Sequence, residues 1–411
     1  MRSAIASTRV AFVVGAASLL VAPRARADAV TDWNQKLCDI VVAASMTPAA
    51  GTRVVAIVQT AVYEAVNAIT TRYPSAGPKV EASPKASVDA AVAAAAHDTL
   101  SKLTPSQQAA IDSAYQAALA TIPDGPSRSD GIAVGEKAAA AVLAARAEDG
   151  AQKAESYRPQ TAAGVYVSTN IPIASQWPDR KPWLMTSADQ FRPGPPPKLT
   201  SELWARDYNE IKSIGSKNST QRTAEQTAIA KFWETTQPPI YQGLLRSAAS
   251  APQREITRNA RLFAAAGQAL DDSYIAIFDA KYHYNFWRPI TAIRNGDIDG
   301  NDATERDASW LPFIDTPPHP EYPCAHCILA AAVSVVLQAE FSPGAVPPLS
   351  TTSATAGGAS RSWNNLDDFV QEVSNARIYD GVHFRNSTEV GTAMGKKVGA
   401  LAVAKFLKPS R

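Results

Sequence analysis

Long alanine-rich stretches, with apolar residues recurring near the 3.6-residue period, constrain this 411-residue chain more than any other feature. They run over roughly 30–46, 52–70, 86–103, 105–121 and 128–148, and each has the pattern of an amphipathic or buried helix. Thr104-Pro105 and Gly125-Pro126 break the run, because proline has no N–H to donate and restricts the residue before it. Alternating β-branched segments are scarce, so a sheet of any size is not expected. Small alanine side chains let helices approach closely, and no fixed repeat period is present. The expectation is therefore an all-α bundle rather than a solenoid.

The first 27 residues read as a secretory signal. Arg2 and Arg9 precede an apolar run from Val10 to Ala22, and Ala25-Arg26-Ala27 supplies an A-x-A cleavage site. Removing these residues takes away four arginines and no acid, leaving 36 basic against 38 acidic side chains and a net charge near −2. Such a balance argues against a nucleic-acid or anionic-membrane partner. No later stretch approaches the length of about 18 apolar residues that spans a bilayer. A secreted or periplasmic protein without stable membrane insertion is expected, and a homo-oligomer is compatible with the chain. Cys38, Cys324 and Cys327 are too few for a disulfide framework, although Cys324 and Cys327 could pair across one helical turn.

Residues 150–200 change character. Trp177-Pro178, Pro182-Trp183 and Gly194-Pro-Pro-Pro197 form a proline-rich crossing, the kind of long irregular stretch that acts as a lid or a wrapping segment. Helical periodicity resumes at roughly 199–215, 221–235, 238–249, 253–286, 326–340, 364–376 and 386–407. Asn386 and Glu389 suggest a capping box for the last helix. The division expected is an N-terminal scaffold over 28–198 and a C-terminal catalytic region over 199–411.

Three segments of the C-terminal region carry the chemistry. Lys281 and Arg288 are seven residues apart, two turns along one helical face, with Pro289 expected to end that helix. The surrounding Tyr282, Tyr284, Phe286 and Trp287 imply a partly buried setting, where two cations call for an anion. His326 follows Pro323-Cys324-Ala325 at a helix start, where free N–H groups favour a bound anion and an imidazole can move a proton. Arg377 and His383 flank the turn Tyr379-Asp380-Gly381. Arginine can fork onto an oxyanion, and a ring nitrogen can bond to its central atom. Asp297-Ile-Asp299-Gly300-Asn301-Asp302 fails the calcium-loop pattern, with Asp302 at position six and Ala308 at position twelve.

Lys-x6-Arg-Pro, Pro-x-x-His and Arg-x5-His, in that order, resemble the signature of the vanadium haloperoxidase and type 2 phosphatidic acid phosphatase superfamily. His319-Pro-Glu-Tyr-Pro, Trp33-Asn34 and Tyr63-Glu-Ala-Val-Asn67 extend the resemblance toward its bacterial haloperoxidase-related branch. Ala376 stands where the family usually has serine. The resemblance implies an all-α fold of helical bundles around a buried oxyanion pocket, with vanadate as cofactor and phosphate able to occupy the same site. By matching positions, Lys281, Arg288 and Arg377 would neutralise the equatorial oxygens. The N–H of Ala325, in place of the usual glycine, and Cys324, in place of the usual serine, would also face the anion. His383 would join the central atom and His326 would be the acid–base group.

Two activities follow from the resemblance. A haloperoxidase would use hydrogen peroxide and halide, bromide in preference to chloride, to make hypohalous acid. An acid phosphatase would hydrolyse phosphomonoesters through a phosphohistidine. A third reading is an oxyanion-binding helical module with little turnover. Ser387, where family phosphatases carry an aspartate that orients the histidine, argues against the phosphatase. His319, seven residues before His326, matches a second histidine of algal bromoperoxidases and would tune the halide chemistry. Cys324 cuts the other way, since a thiol is a weak hydrogen-bond donor and oxidisable by peroxide.

Overall fold

The computed structural model describes residues 28–342 and 344–407; the expected signal over 1–27 lies outside them. The N-terminal helices are α1 (Ala29–Ala43), α2 (Pro48–Thr70), α3 (Val88–Leu103), α4 (Gln108–Leu119) and α5 (Pro126–Arg146). After the crossing come α6 (Glu202–Ile214), α7 (Ala224–Phe232), α8 (Pro238–Ala249), α9 (Ile256–Tyr284) and α10 (Pro289–Arg294). The last three are α11 (Ala325–Phe341), α12 (Leu366–Tyr379) and α13 (Arg385–Ala402). Two short antiparallel strands, β1 (Leu349–Ser353) and β2 (Ala359–Trp363), pair Leu349 with Trp363 and are the strands among the described residues. The fold is all-α.

Side-chain caps set several helix starts. Asp28, Thr47, Ser87 and Ser201 each accept an N–H from the first turn of the helix that follows, replacing a bond the helix itself cannot make. Helix α9 is the axis of the molecule. Every residue from Asn259 to Lys281 except Arg261 is buried, so it packs against neighbours on every side. One core cluster joins residues of α1, α2 and α3 to α9, α11 and α13.

Glycine shapes the pair α11–α13; His326 lies on α11 and His383 just before α13. A Cβ at Gly391 or Gly395 would sit 2.5 Å from the Cys324 oxygen or 2.2 Å from the Ile328 oxygen. Only a side chain without Cβ allows this approach of one backbone to the other.

The proline-rich crossing is irregular, with one 3₁₀ turn at Trp177–Asp179. Carboxylates of α9 hold it down. Arg180 donates to both oxygens of Asp271 at 2.6 and 2.9 Å. Asp272 accepts the N–H groups of Trp183, Leu184 and Met185 at 2.7–2.9 Å. Arg192 forks onto Asp279 with two bonds of 2.7 Å.

Local expectations failed at two helix ends. Helix α9 stops at Tyr284, where Asn285 takes the left-handed conformation at φ 47°, and Pro289 opens α10 instead of closing α9. Lys281 and Arg288 therefore do not share a helical face; a sharp turn separates them. Asn386 is not a cap either. Helix α13 starts at Arg385 with Phe384 before it, and the carboxylate of Asp207 on α6 accepts the Asn386 N–H at 2.7 Å. Tertiary capping replaced the local one.

Asp299 has a structural use. Its Oδ2 accepts from Trp204 Nε1 at 2.8 Å and Thr304 Oγ1 at 2.7 Å.

Candidate active site

Lys281, Arg288, His319, Cys324, Ala325, His326, Arg377 and His383 are all buried. His319, Ala325, His326, Arg377 and His383 line one cavity of about 590 Å³. Lys281 and Arg288 reach the same cluster from behind, through hydrogen bonds.

Lys281, in the last turn of α9, donates to the carbonyl oxygens of Pro320 at 3.0 Å and Glu321 at 2.8 Å. Burial, then the neighbouring Arg288, hold its pKa well below the usual lysine range, partly offset by Glu321. Arg288 precedes α10 and donates to the His319 oxygen at 2.9 Å, the Val382 oxygen at 2.8 Å, His319 Nδ1 at 2.9 Å and His383 Nε2 at 3.3 Å. Burial lowers its pKa to about 10.

His319 Nδ1 meets both Arg288 Nη2 at 2.9 Å and the Pro320 carbonyl oxygen at 3.2 Å, a donor and an acceptor. Because arginine can only donate, the Arg288 contact assigns the tautomer of His383. His383 accepts at Nε2, leaving the proton on Nδ1. That proton points at Glu321, whose Oε1 lies 2.8 Å from Nδ1 and also accepts the Phe384 N–H at 3.1 Å. Burial raises the Glu321 pKa to about 7. Burial first, then Arg288, Lys281 and Arg377, keep His383 far below the ordinary imidazole range.

Glu321 is the residue that sequence reasoning missed. It lay within the quoted His319-Pro-Glu-Tyr-Pro segment, and its acidity beside a catalytic histidine was the available signal. Its position corrects the argument built on Ser387. The Ser387 hydroxyl is 3.4 Å from His383 Nδ1, but the carboxylate that orients the ring arrives from the loop before α11. A missing aspartate at 387 no longer weighs against phosphatase chemistry.

His326 is the second residue of α11, whose first N–H groups have no intrahelical acceptor. Its Nε2 is buried without a hydrogen-bond partner. Burial, with Arg377 and Lys281 nearby, depresses its pKa strongly. Arg377, in the last turn of α12, donates through Nη1 to the Trp233 oxygen at 2.7 Å and to Asp380 Oδ2. Its Nε and Nη2 have no partner. Asp380 is the second acidic residue whose role was not foreseen: burial raises its pKa to about 7 despite Arg377. Gly381, at φ 78°, lets the chain reverse immediately after it and bring His383 back toward Arg377.

Cys324 caps α11, its Sγ accepting the Cys327 N–H at 3.4 Å. Both cysteines are thiols, with Cys327 Sγ donating to Cys324 Sγ at 2.7 Å. Burial pushes the Cys324 pKa up, but Cys327, Arg377 and Lys281 outweigh it and the net direction is down.

A tetrahedral oxyanion fits this arrangement. It would satisfy the orphaned nitrogens of Arg377 and His326, meet the N-terminus of α11, and reach His383 Nε2 in exchange for the 3.3 Å contact from Arg288.

An all-helical frame with a buried cationic oxyanion pocket defines the class. Residues 261–410 match the family model for the VCPO second helical-bundle domain. Vanadium chloroperoxidase of Curvularia inaequalis is 27% identical over 179 residues, 36% of this chain but only 29% of that relative. Among solved structures, the first bacterial vanadium-dependent iodoperoxidase superposes with a TM-score of 0.79 at 24% identity, covering 92% of this chain and 95% of that one. An apo bacterial vanadium-dependent chloroperoxidase gives 0.70 at 16% identity, over 88% and 94%. At these identities the structures speak for the fold. Together these matches support the vanadium haloperoxidase and type 2 phosphatidic acid phosphatase superfamily, with the family-model match confined to residues 261–410.

Proposed function

We propose that the chain is a vanadate-dependent haloperoxidase. It would oxidise halide with hydrogen peroxide to hypohalous acid, in the balance H2O2 + Br− + H+ → HOBr + H2O. The observation that carries this reading is a cavity lined by His383, its ring fixed by Glu321, together with the unpaired nitrogens of Arg377 and His326.

Each residue has a part. His383 would hold the central atom, with Glu321 fixing its ring. Arg377, Arg288, Lys281 and the Ala325 N–H would balance the oxyanion charge. His326, kept neutral by burial, would take a proton from incoming peroxide at Nε2. Vanadate, when bound, supplies a Lewis-acid centre that polarises peroxide. The preference for bromide over chloride rests on His319, which presents a second neutral imidazole beside the site, and on the easier oxidation of bromide. Export to the periplasm or medium rests on residues 1–27. No helix among the described residues is long and apolar enough to cross a membrane.

A phosphatase is the second reading, and Glu321 favours it. An oriented His383 can attack phosphorus, with His326 protonating the leaving alcohol. Vanadate titration with peroxide and bromide, beside a phosphomonoester assay, separates the two. Halogenation that requires vanadate supports the first, and phosphate release inhibited by vanadate the second. Tight vanadate binding without turnover would mean a binding module. Unchanged activity in His383→Ala would overturn the site assignment itself.

A further inference from the structure

Cys324 and Cys327 are a buried reactive pair that the proposed chemistry does not use. They occupy the N-cap and the third position of α11, and side chains three residues apart on a helix meet. Cys327 Sγ stands 2.7 Å from Cys324 Sγ, so closing them to a bond of about 2.05 Å needs a shift of about 0.7 Å. Cys324 Sγ accepts in both of its hydrogen bonds, from the Cys327 N–H at 3.4 Å and from the Cys327 thiol, which leaves its own proton for a bound anion. The backbone here is held by α13, because the Cys324 N–H donates to the Ser387 oxygen at 3.1 Å. The next two residues, Ala325 and His326, line the cavity, so a molecule as small as peroxide admitted there reaches the wall directly beside the sulfur. Burial would raise the Cys324 pKa, but Cys327, Arg377 and Lys281 outweigh it. Burial first, then Cys324, push the Cys327 thiol well up, so Cys324 is the better nucleophile of the two. Cys38 sits on α1 against Arg246 at 3.5 Å, apart from the pair.

We propose that hydrogen peroxide converts Cys324 and Cys327 into a reversible disulfide, and that this disulfide weakens oxyanion binding in the neighbouring pocket. Cys324 is oxidised first, RSH + H2O2 → RSOH + H2O, and Cys327 then resolves it, RSOH + R′SH → RSSR′ + H2O. The two sulfurs together lose two electrons, the peroxide O–O bond takes them and breaks, and each thiol proton ends in a water. The new S–S bond removes the S–H that Cys324 holds for an anion. Without Cys327, Cys324 would climb to a sulfinate or sulfonate. Such a fixed anion would compete with a bound oxyanion for the free Nε and Nη2 of Arg377. The thiol step needs only peroxide and does not rest on the haloperoxidase reading.

Peptide mass mapping of the full chain after peroxide treatment, beside vanadate titration by calorimetry, tests both parts. The peptide holding Cys324 and Cys327 should lose two hydrogens, with Cys38 unchanged. Vanadate affinity should fall about fivefold, as for one hydrogen bond from a weak donor, and return after dithiothreitol. In Cys327→Ser the same peptide should gain two or three oxygens, and vanadate binding should be lost without recovery. In Cys324→Ser, peroxide should leave that variant's own vanadate affinity where it started. Both thiols intact in the wild type, under peroxide that oxidises Cys324 in Cys327→Ser, overturns the disulfide. Oxygen addition to the wild type as fast as to Cys327→Ser overturns it as well. A disulfide that leaves vanadate affinity unchanged overturns its link to the pocket. Failure of halogenation while the mass and affinity changes appear would instead sink the haloperoxidase reading and leave the thiol pair standing.

Discussion

Glu321 Oε1 lies 2.8 Å from His383 Nδ1, and the two residues come from different loops 62 positions apart in the chain. The same oxygen accepts the Phe384 N–H at 3.1 Å. One carboxylate thus fixes both the ring and the backbone that follows it. With Arg288 donating to Nε2, the ring has one tautomer and one direction in which its lone pair can point.

Removing that carboxylate should cost oxyanion affinity before it costs the fold. Loss of a carboxylate behind a ligating histidine weakens binding by about 10–100-fold. Glu321→Ala should lose vanadate affinity on that scale by calorimetry, while Glu321→Gln, still able to accept from Nδ1, should lose less. Equal affinity in Glu321→Ala and wild type would remove Glu321 from any positioning role.

Asp380 should leave a signature in stability against pH. Its pKa is raised in the folded state to about 7 from 3.8. The folded protein therefore holds this proton longer than the unfolded chain, and the contribution to stability falls as pH rises from about 4 to about 7. Urea denaturation of Asp380→Asn and wild type across this window should show the difference moving in favour of the variant, by on the order of 2–4 kcal/mol. A pH-independent difference would mean that Asp380 is already ionised at pH 4 beside Arg377.

On the haloperoxidase reading, the buried Cys324 thiol, next to the cavity-lining Ala325, is the group beside the site that peroxide would oxidise. Cys324→Ser replaces the capping sulfur of α11 with a hydroxyl oxygen, so stability should change by no more than about 1 kcal/mol. The variant should keep its activity longer during preincubation with peroxide, because a hydroxyl does not climb the thiol oxidation series. Identical inactivation half-lives would show that another residue is the target.

The crossing segment should depend on its ion pairs with α9. Arg180→Ala leaves Asp271 buried without its bidentate partner, a loss of about 3–5 kcal/mol by analogy with other broken buried pairs. Arg180 also stacks on Trp177, 4.9 Å from the ring centroid. Limited proteolysis should therefore cut within 150–200 sooner in the variant. Unchanged denaturation midpoints would show that the contacts of Asp272 and Asp279 suffice.

The chain's own order of residues determined most of the architecture. Alanine-rich helical periodicity and proline breaks placed the helices within a few residues, since these are properties of neighbours three and four apart. Pro323-Cys324-Ala325-His326 marked the start of α11, and the order of three short segments assembled the cationic pocket. What depended on packing was not legible. Asn285 in a left-handed conformation ended α9 before Arg288, and Asp207 from α6 took over the capping of α13. Only the tertiary structure put Glu321 on His383, Asp380 on Arg377, and Trp177 of the crossing into the cavity lined by His319, His326 and His383. Helices follow from local spacing; which carboxylate faces which cation, and which ring walls a cavity, follow from burial that brings distant residues together and makes each unpaired charge costly.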